Sequence, residues 1–147
     1  MKISEVAADE VVFDRLIELS EKWEAENSCY GYRANSKEDI EGNRIFAAYE
    51  DGRIVGYLFG HSSNLENMTS IIPKGTACFE VMEIFVEEEC RNRGIGRSLF
   101  EYMESSIDDE YIVLSTATKN HKAILHFYID EVGMNFHSAF LFKKTEK

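Results

Sequence analysis

Proline is all but missing from this sequence, occurring once, at Pro73, so no proline-rich linker divides the chain. Cysteine is scarce and odd in number. Cys29, Cys78 and Cys90 lack ligand spacing, which argues against a disulfide framework or a zinc site and points to a reducing compartment. No apolar run approaches the roughly 20 residues that a membrane helix needs. The opening Met1-Lys2-Ile3-Ser4-Glu5 leads straight into acidic sequence rather than into a secretory leader. The expected setting is cytoplasmic, with no membrane and no metal. Basic residues are outnumbered 16 to 27, for a net charge of −11. That balance opposes non-specific nucleic-acid binding, which rests on neutralising phosphates. It suits a cationic substrate, although acidity also serves solubility alone.

What is present is enough for one domain, 1–147: 147 residues, 44% of them hydrophobic and 12% aromatic, can bury a core without staples. Residues 2–6 read as a strand, and Asp9 caps a helix to about Ser28 with Val12, Leu16, Leu19 and Trp23 as its apolar stripe. Ser36 and Asp39 hint at a short capped turn. Residues 44–50 and 53–61 are apolar runs joined by Asp51-Gly52, a hairpin signal. Residues 62–76 read as a surface loop. Beyond the central unit, residues 111–117 read as a buried strand, a helix begins at Asn120 and ends at Gly133, and residues 135–143 close the chain as a strand. This order implies a mixed α/β sheet with helices on its faces.

The most informative stretch is 80–104. An apolar strand turns through Arg91-Asn92-Arg93-Gly94-Ile95-Gly96 into a helix whose Ile95, Leu99, Met103 and Ile107 recur at helical spacing. Backbone amides at such a helix start, with glycines that allow close approach, make an anion site. Arg91, Arg93 and Arg97 add positive charge against the trend of the chain. A P-loop is disfavoured because Arg97-Ser98 follows Gly96 where Lys-Ser/Thr is needed. A dinucleotide fingerprint is disfavoured because Leu99 stands at the third glycine.

The strand, the R-x-x-G-x-G turn and the Asn120-His121-Lys122-Ala123 opening of the later helix resemble the GNAT superfamily of N-acetyltransferases over essentially the whole chain. The resemblance implies an α/β (α+β) fold with a mixed, mostly antiparallel twisted sheet flanked by helices on both faces. It also implies acetyl-CoA as co-substrate and direct transfer of acetyl to a primary amine in a ternary complex. Backbone amides of Arg93, Gly94, Ile95, Gly96, Arg97 and Ser98 would hold pyrophosphate, beside Arg91 and Asn92. Ile84, Phe85 and Val86 would pair with the pantetheine arm, Asn120 would contact pantetheine or nearby backbone, and Tyr128 would protonate the leaving thiolate. The helix from Asn120 to Gly133 is about two residues longer than the family spacing, which sets Phe127 in competition with Tyr128 for the acid's place.

An amine must be neutral to attack, so a base is expected. Glu83 is the first candidate and Glu80 the second, on opposite faces of a plain strand unless a bulge intervenes. The run Glu87-Glu88-Glu89 reads as a solvated face, His121 and His126 as surface positions, and Cys90 as an inert thiol. Trp23, Tyr30 and Tyr32 fall where the resemblance places an acceptor site. A small cationic amine, such as an aminoglycoside or polyamine, is the expected acceptor, with a peptide amine or a catalytically weak acyl-CoA-binding module as alternatives. A homodimer is compatible with all of these.

Overall fold

The computed structural model describes residues 1–66 and 70–147. Its elements run β1 (Lys2–Val6), α1 (Glu10–Glu26), α2 (Lys37–Ile40), β2 (Arg44–Glu50), β3 (Arg53–Asn64), β4 (Ala77–Val86), a short 3-10 turn (Glu88–Cys90), α3 (Ile95–Ser106), β5 (Tyr111–Val113) and α4 (His121–Leu125). α4 continues directly into a π-helical turn, His126–Glu131. The five strands lie in chain order in one sheet. The first four pair antiparallel and β5 pairs parallel to β4.

Both faces of this sheet are covered, which is why its central strands are apolar at successive positions rather than at alternate ones. Ile45 and Ala47 of β2, with Tyr57 and Phe59 of β3, join Leu16 and Leu19 of α1 in one core. Phe46, Ala48, Val55 and Leu58 turn to the other face, against Leu99, Phe100 and Met103 of α3. Leu16, Leu19 and Leu99 are fully buried, each contributing about 1.5–3 kcal/mol. Local signals fix the helix starts. The Asp9 side chain accepts a hydrogen bond from the Val12 N–H at 2.9 Å, and Ser36 with Asp39 completes a capping box. α1 stops at Asn27, which takes a left-handed conformation (φ 54°).

One irregularity organises the sheet. Between Phe59 and Gly60 the register against β4 shifts, so that Phe59 faces Glu83 while Gly60 faces Val81. The extra residue in β4 is Met82, which is exposed. Phe79 and Val81 therefore face the α3 side while Phe85 faces the α1 side, although all three would share a face in a plain strand. Backbones approach closely here: a Cβ on Gly60 would stand 2.1 Å from the Glu80 carbonyl oxygen, a distance no side chain can occupy.

Four expectations need correction. β3 runs on to Asn64, because β4 is long enough to pair with it throughout. The expected loop over 62–76 thus begins at Leu65, and its positions 67–69 lie outside the described residues. β5 covers only Tyr111–Val113 and is half-buried at best, because it pairs with β4 only at Cys78, Phe79 and Glu80. Residues 135–147 form no strand, and every one of them is exposed. Glu87 is not a solvated carboxylate. It is 2% exposed, and its Oε1 accepts from Arg53 at 2.8 Å and Arg15 at 3.4 Å while its Oε2 pairs with Lys22. Glu88 and Glu89 are exposed as expected.

Candidate active site

Because β5 pairs with β4 only below the bulge, the two strands separate above it. β4 from Val81 to Val86 has β3 on one edge only, and its other edge opens into a cleft of about 900 Å³. That cleft is continuous from the Gly94–Gly96 turn to Glu83 and Tyr32, and it includes Ile84, Phe85, Val86, Asn120 and Tyr128 in its walls. Its volume lies within the range of small-molecule sites.

At one end stands the N-terminus of α3. Asn92 (φ 62°) and Gly94 (φ 80°) both take left-handed backbone conformations, which wind the chain tightly into the helix. Gly94 is the N-cap and has no side chain to cap with. The first-turn amides therefore lack the usual side-chain acceptor and present their dipole to the cleft. A Cβ on Gly96 would only touch the Phe127 ring, at 3.4 Å, so it is a side chain longer than a methyl that would intrude between Phe127 and Val86. The arginines behave differently from the expectation of free positive charge. Arg93 pairs with Glu50 at 2.9 Å, Arg97 pairs with Glu101 at 2.7 Å, and Arg91 pairs with Glu26. Arg91 also donates to the Val86 carbonyl at 2.8 Å and lies over the Phe85 ring, so it braces the turn against β4. All three guanidinium groups are thus engaged by carboxylates of the chain itself.

At the other end Glu83 is held by three donors. Its Oε1 accepts from the Tyr57 hydroxyl at 2.9 Å, the Asn35 amide at 2.9 Å and the Tyr32 hydroxyl at 3.0 Å. Burial raises its pKa, and the three hydrogen bonds, which favour the charged form, do not fully offset that rise. Asn35 is itself fixed, its N–H donating to the buried Ser20 hydroxyl at 2.9 Å. Tyr32 stacks on Trp23 with centroids 4.2 Å apart, and Trp23 stacks in turn on Phe85 at 5.3 Å. The bulge brings Glu80 to the same side of β4 as Glu83, but Glu80 is half-exposed, stands 3.8 Å from His61, and is not part of the cleft wall.

The long helix from Asn120 resolves its own spacing. Asn120 caps it by accepting from the Ala123 N–H, and the surplus is taken up as the π-helical turn, where the Val132 N–H reaches the Phe127 carbonyl at 3.1 Å. Gly133 (φ 77°) ends it, with the Met134 N–H on the Tyr128 carbonyl at 2.8 Å. π-turns of this sort recur at functional sites. Here it lets Phe127 and Tyr128 line the cleft together. Burial, and then the proximity of Cys29, push the Tyr128 hydroxyl up to about 12. His121 and His126 are exposed, and His126 bonds Asp130 at 2.8 Å.

Among the site residues that sequence reasoning missed, Tyr57 was within reach, since β-alternation puts it on the Phe59 face. Asn35 was not, because its place depends on a loop with no periodicity. Among the described residues no helix is long and apolar enough to cross a membrane.

The model of the acetyltransferase (GNAT) family matches residues 13–134. An N-alpha-acetyltransferase of Saccharolobus solfataricus is 29% identical over 119 residues, covering 76% of this chain and 68% of that protein. A crystal structure of a mutant protein from Bacillus halodurans superposes with a TM-score of 0.75 at 19% identity, over 99% of both chains. An aminoglycoside acetyltransferase from an uncultured soil metagenomic sample, in complex with trehalose, gives 0.70 at 20% identity, over 99% of this chain and 96% of that one. An aminoglycoside N-acetyltransferase in complex with CoA gives 0.67 at 15% identity, over 99% and 100%.

Proposed function

Because the chain belongs to the GNAT acetyltransferase family, we propose that it transfers acetyl from acetyl-CoA to a primary amine by direct attack in a ternary complex. The observation that carries this is the single cleft joining the uncapped α3 N-terminus to Glu83. One end suits a pyrophosphate and the other suits an amine to be deprotonated. The exposed edge of Ile84, Phe85 and Val86 can pair its main chain with an extended amide-bearing arm, as an added strand would. An amide of the same edge is the natural donor to the carbonyl oxygen as negative charge develops on it.

In this reading the amine enters as a cation and is drawn by Glu83, with Glu131 in the same wall. Glu83 takes its proton, directly or through water, and the freed nitrogen lone pair attacks the thioester carbon. As the carbon–sulfur bond breaks, the second proton that the nitrogen must lose passes to the departing sulfur, leaving a neutral amide and a thiol. Tyr128, held protonated by its pKa of about 12, is a weaker acid than a thiol, whose ordinary value is about 8.5. It therefore acts by donating a hydrogen bond to the departing sulfur, not by complete proton transfer.

A small polycationic amine fits this acidic wall, and two of the matched folds are aminoglycoside acetyltransferases. A peptide α-amine is the second reading, favoured by the N-alpha-acetyltransferase likeness. The deciding experiment is thiol release from acetyl-CoA against aminoglycosides, polyamines and short peptides. Turnover on a small polyamine or aminoglycoside supports the first reading, and turnover on peptides alone replaces it with the second. Tight acetyl-CoA binding with no release on any amine would overturn both.

A further inference from the structure

All three donors to Glu83 converge on one oxygen. The Tyr57 hydroxyl, the Asn35 amide and the Tyr32 hydroxyl bond Oε1 at 2.9, 2.9 and 3.0 Å. Oε2 receives no donor among the described residues, and the buried side-chain oxygen left without a partner lies elsewhere, on Asp109. Oε2 is therefore open to the cleft that Glu83 lines. A carboxylate gripped by one oxygen is aimed by its donors, which decide where the other oxygen points.

The three donors are not equally secure. Tyr57 is fully buried in the core. Asn35 is tied to the buried Ser20, whose hydroxyl bonds the Ile17 carbonyl of α1 at 2.7 Å. Tyr32 comes from the irregular segment between α1 and α2, and its ring is held by stacking. It lies 4.2 Å from the Trp23 ring with the planes 22° apart, and Trp23 lies 5.3 Å from Phe85 with the planes 18° apart. Arg91 covers Phe85 at 5.2 Å. Phe85 and Glu83 stand two residues apart in regularly paired β4, so both turn to the α1 side. The contacts close a loop, from Glu83 through Tyr32, Trp23 and Phe85 and back along the strand to Glu83. A stacked aromatic pair contributes about 0.5–1.5 kcal/mol beyond its area, comparable with the cost of fixing a side chain in one rotamer.

We propose that Tyr32 is a positioning residue for acetyl transfer and that Trp23 holds it in place, so that together they grip Glu83 by Oε1 and present Oε2 to the amine. The proposal rests on the reading of Glu83 as the base. The edge of β4 that would receive the thioester and the oxygen that would receive the proton are then registered to one strand, and a small error in either misaligns attack. Tyr32 can serve only as a donor here. Burial, and then the charge of Glu83, raise its pKa above the ordinary 10.0.

Variants of the whole chain separate the bond from the stack. Tyr32→Phe keeps the ring on Trp23 and removes the donor. Because that donor favours the charged carboxylate, the acid limb of kcat/KM should move up by about half a pH unit, a loss of about threefold in rate on that limb. Trp23→Leu should move the limb the same way, although Trp23 makes no hydrogen bond to the carboxylate, and Trp23→Phe should return it. NMR titration of the Glu83 carboxyl carbon, identified by its loss in Glu83→Gln, should show the same shifts without turnover. An unmoved limb and titration in Tyr32→Phe overturn the proposal. A Trp23→Leu variant that loses rate equally at every pH, with its titration unmoved, overturns the role of Trp23. Absence of turnover on any amine, with the titration shifts present, overturns the transfer reading and not the hold of Tyr32 on Glu83.

Discussion

Replacing Glu83 by Gln tests the chemistry with little disturbance of shape. The Gln carbonyl oxygen can still accept from Tyr57, Asn35 and Tyr32, so the three bonds of 2.9–3.0 Å survive and only the charge is lost. Burial raises the Glu83 pKa, so the folded protein holds this proton more tightly than the unfolded chain does. Any stability from that preference is full below the unfolded value and is lost as pH rises through the folded one. At pH 7 the ionised carboxylate is thus a cost, and Glu83→Gln should unfold at the same temperature as wild type or slightly higher. Activity should behave in the opposite way. A base acts only when deprotonated, so the acid limb of wild-type kcat/KM should lie above the ordinary carboxylate value of 4.5. The variant should lose that limb and about 10²–10⁴ in rate, roughly 3–5 kcal/mol of barrier. The assay is steady-state thiol release between pH 5 and 9, with thermal unfolding alongside. A variant within threefold of wild type, or one with the acid limb intact, would remove Glu83 as the base.

Three further outcomes are expected from the site and its supports. Tyr128→Phe should lower kcat about tenfold with acetyl-CoA affinity unchanged by calorimetry, since it removes a hydrogen bond to sulfur and nothing else; a kcat equal to wild type would show the hydroxyl idle. Gly96→Leu, whose side chain would project between Phe127 and Val86, should abolish acetyl-CoA binding while the fold persists, and unchanged affinity would contradict the placement of the cofactor arm. Glu87→Ala should cost about 1–2 kcal/mol, because Arg15 loses a buried partner while keeping Glu18 and the Ile54 carbonyl, or roughly 5 °C in unfolding temperature. Burial pushes the Glu87 carboxyl up, but Lys22, Arg15 and Arg53 outweigh it and the net pKa falls. Its stabilisation should therefore be full above the unfolded value near 4.5 and fade as pH drops through the folded one. A variant as stable as wild type at pH 7 would count against this.

Legibility tracked the range of the interactions. Asp9, the Ser36–Asp39 box, the Asp51-Gly52 hairpin and the glycine turn are local devices, and the structure places each where its residues said. The bulge was anticipated only as the condition under which Glu80 and Glu83 could share a face, and that condition is met. What escaped was long-range. The burial of Glu87 depends on cations 34, 65 and 72 residues away, which no window reveals. Arg91 and Arg93 looked free because Glu26 and Glu50 are distant in sequence, whereas the pairing of Arg97 with Glu101, one helical turn on, was within local reach. The tail read as a strand on composition, yet a strand needs a neighbour as much as a propensity.

The π-turn at His126–Glu131 has a consequence for the direction of the chain beyond it. Each residue added to or removed from a helix rotates the downstream segment by about 100°. The surplus that keeps both Phe127 and Tyr128 on the cleft also sets the heading at which the chain leaves Gly133. Deleting one residue within the turn would let a regular helix re-form and swing the tail by more than a quarter of a circle. The phase of one helix thus couples the lining of the cleft to the course of the exposed tail, so that an insertion or deletion in the turn registers at both.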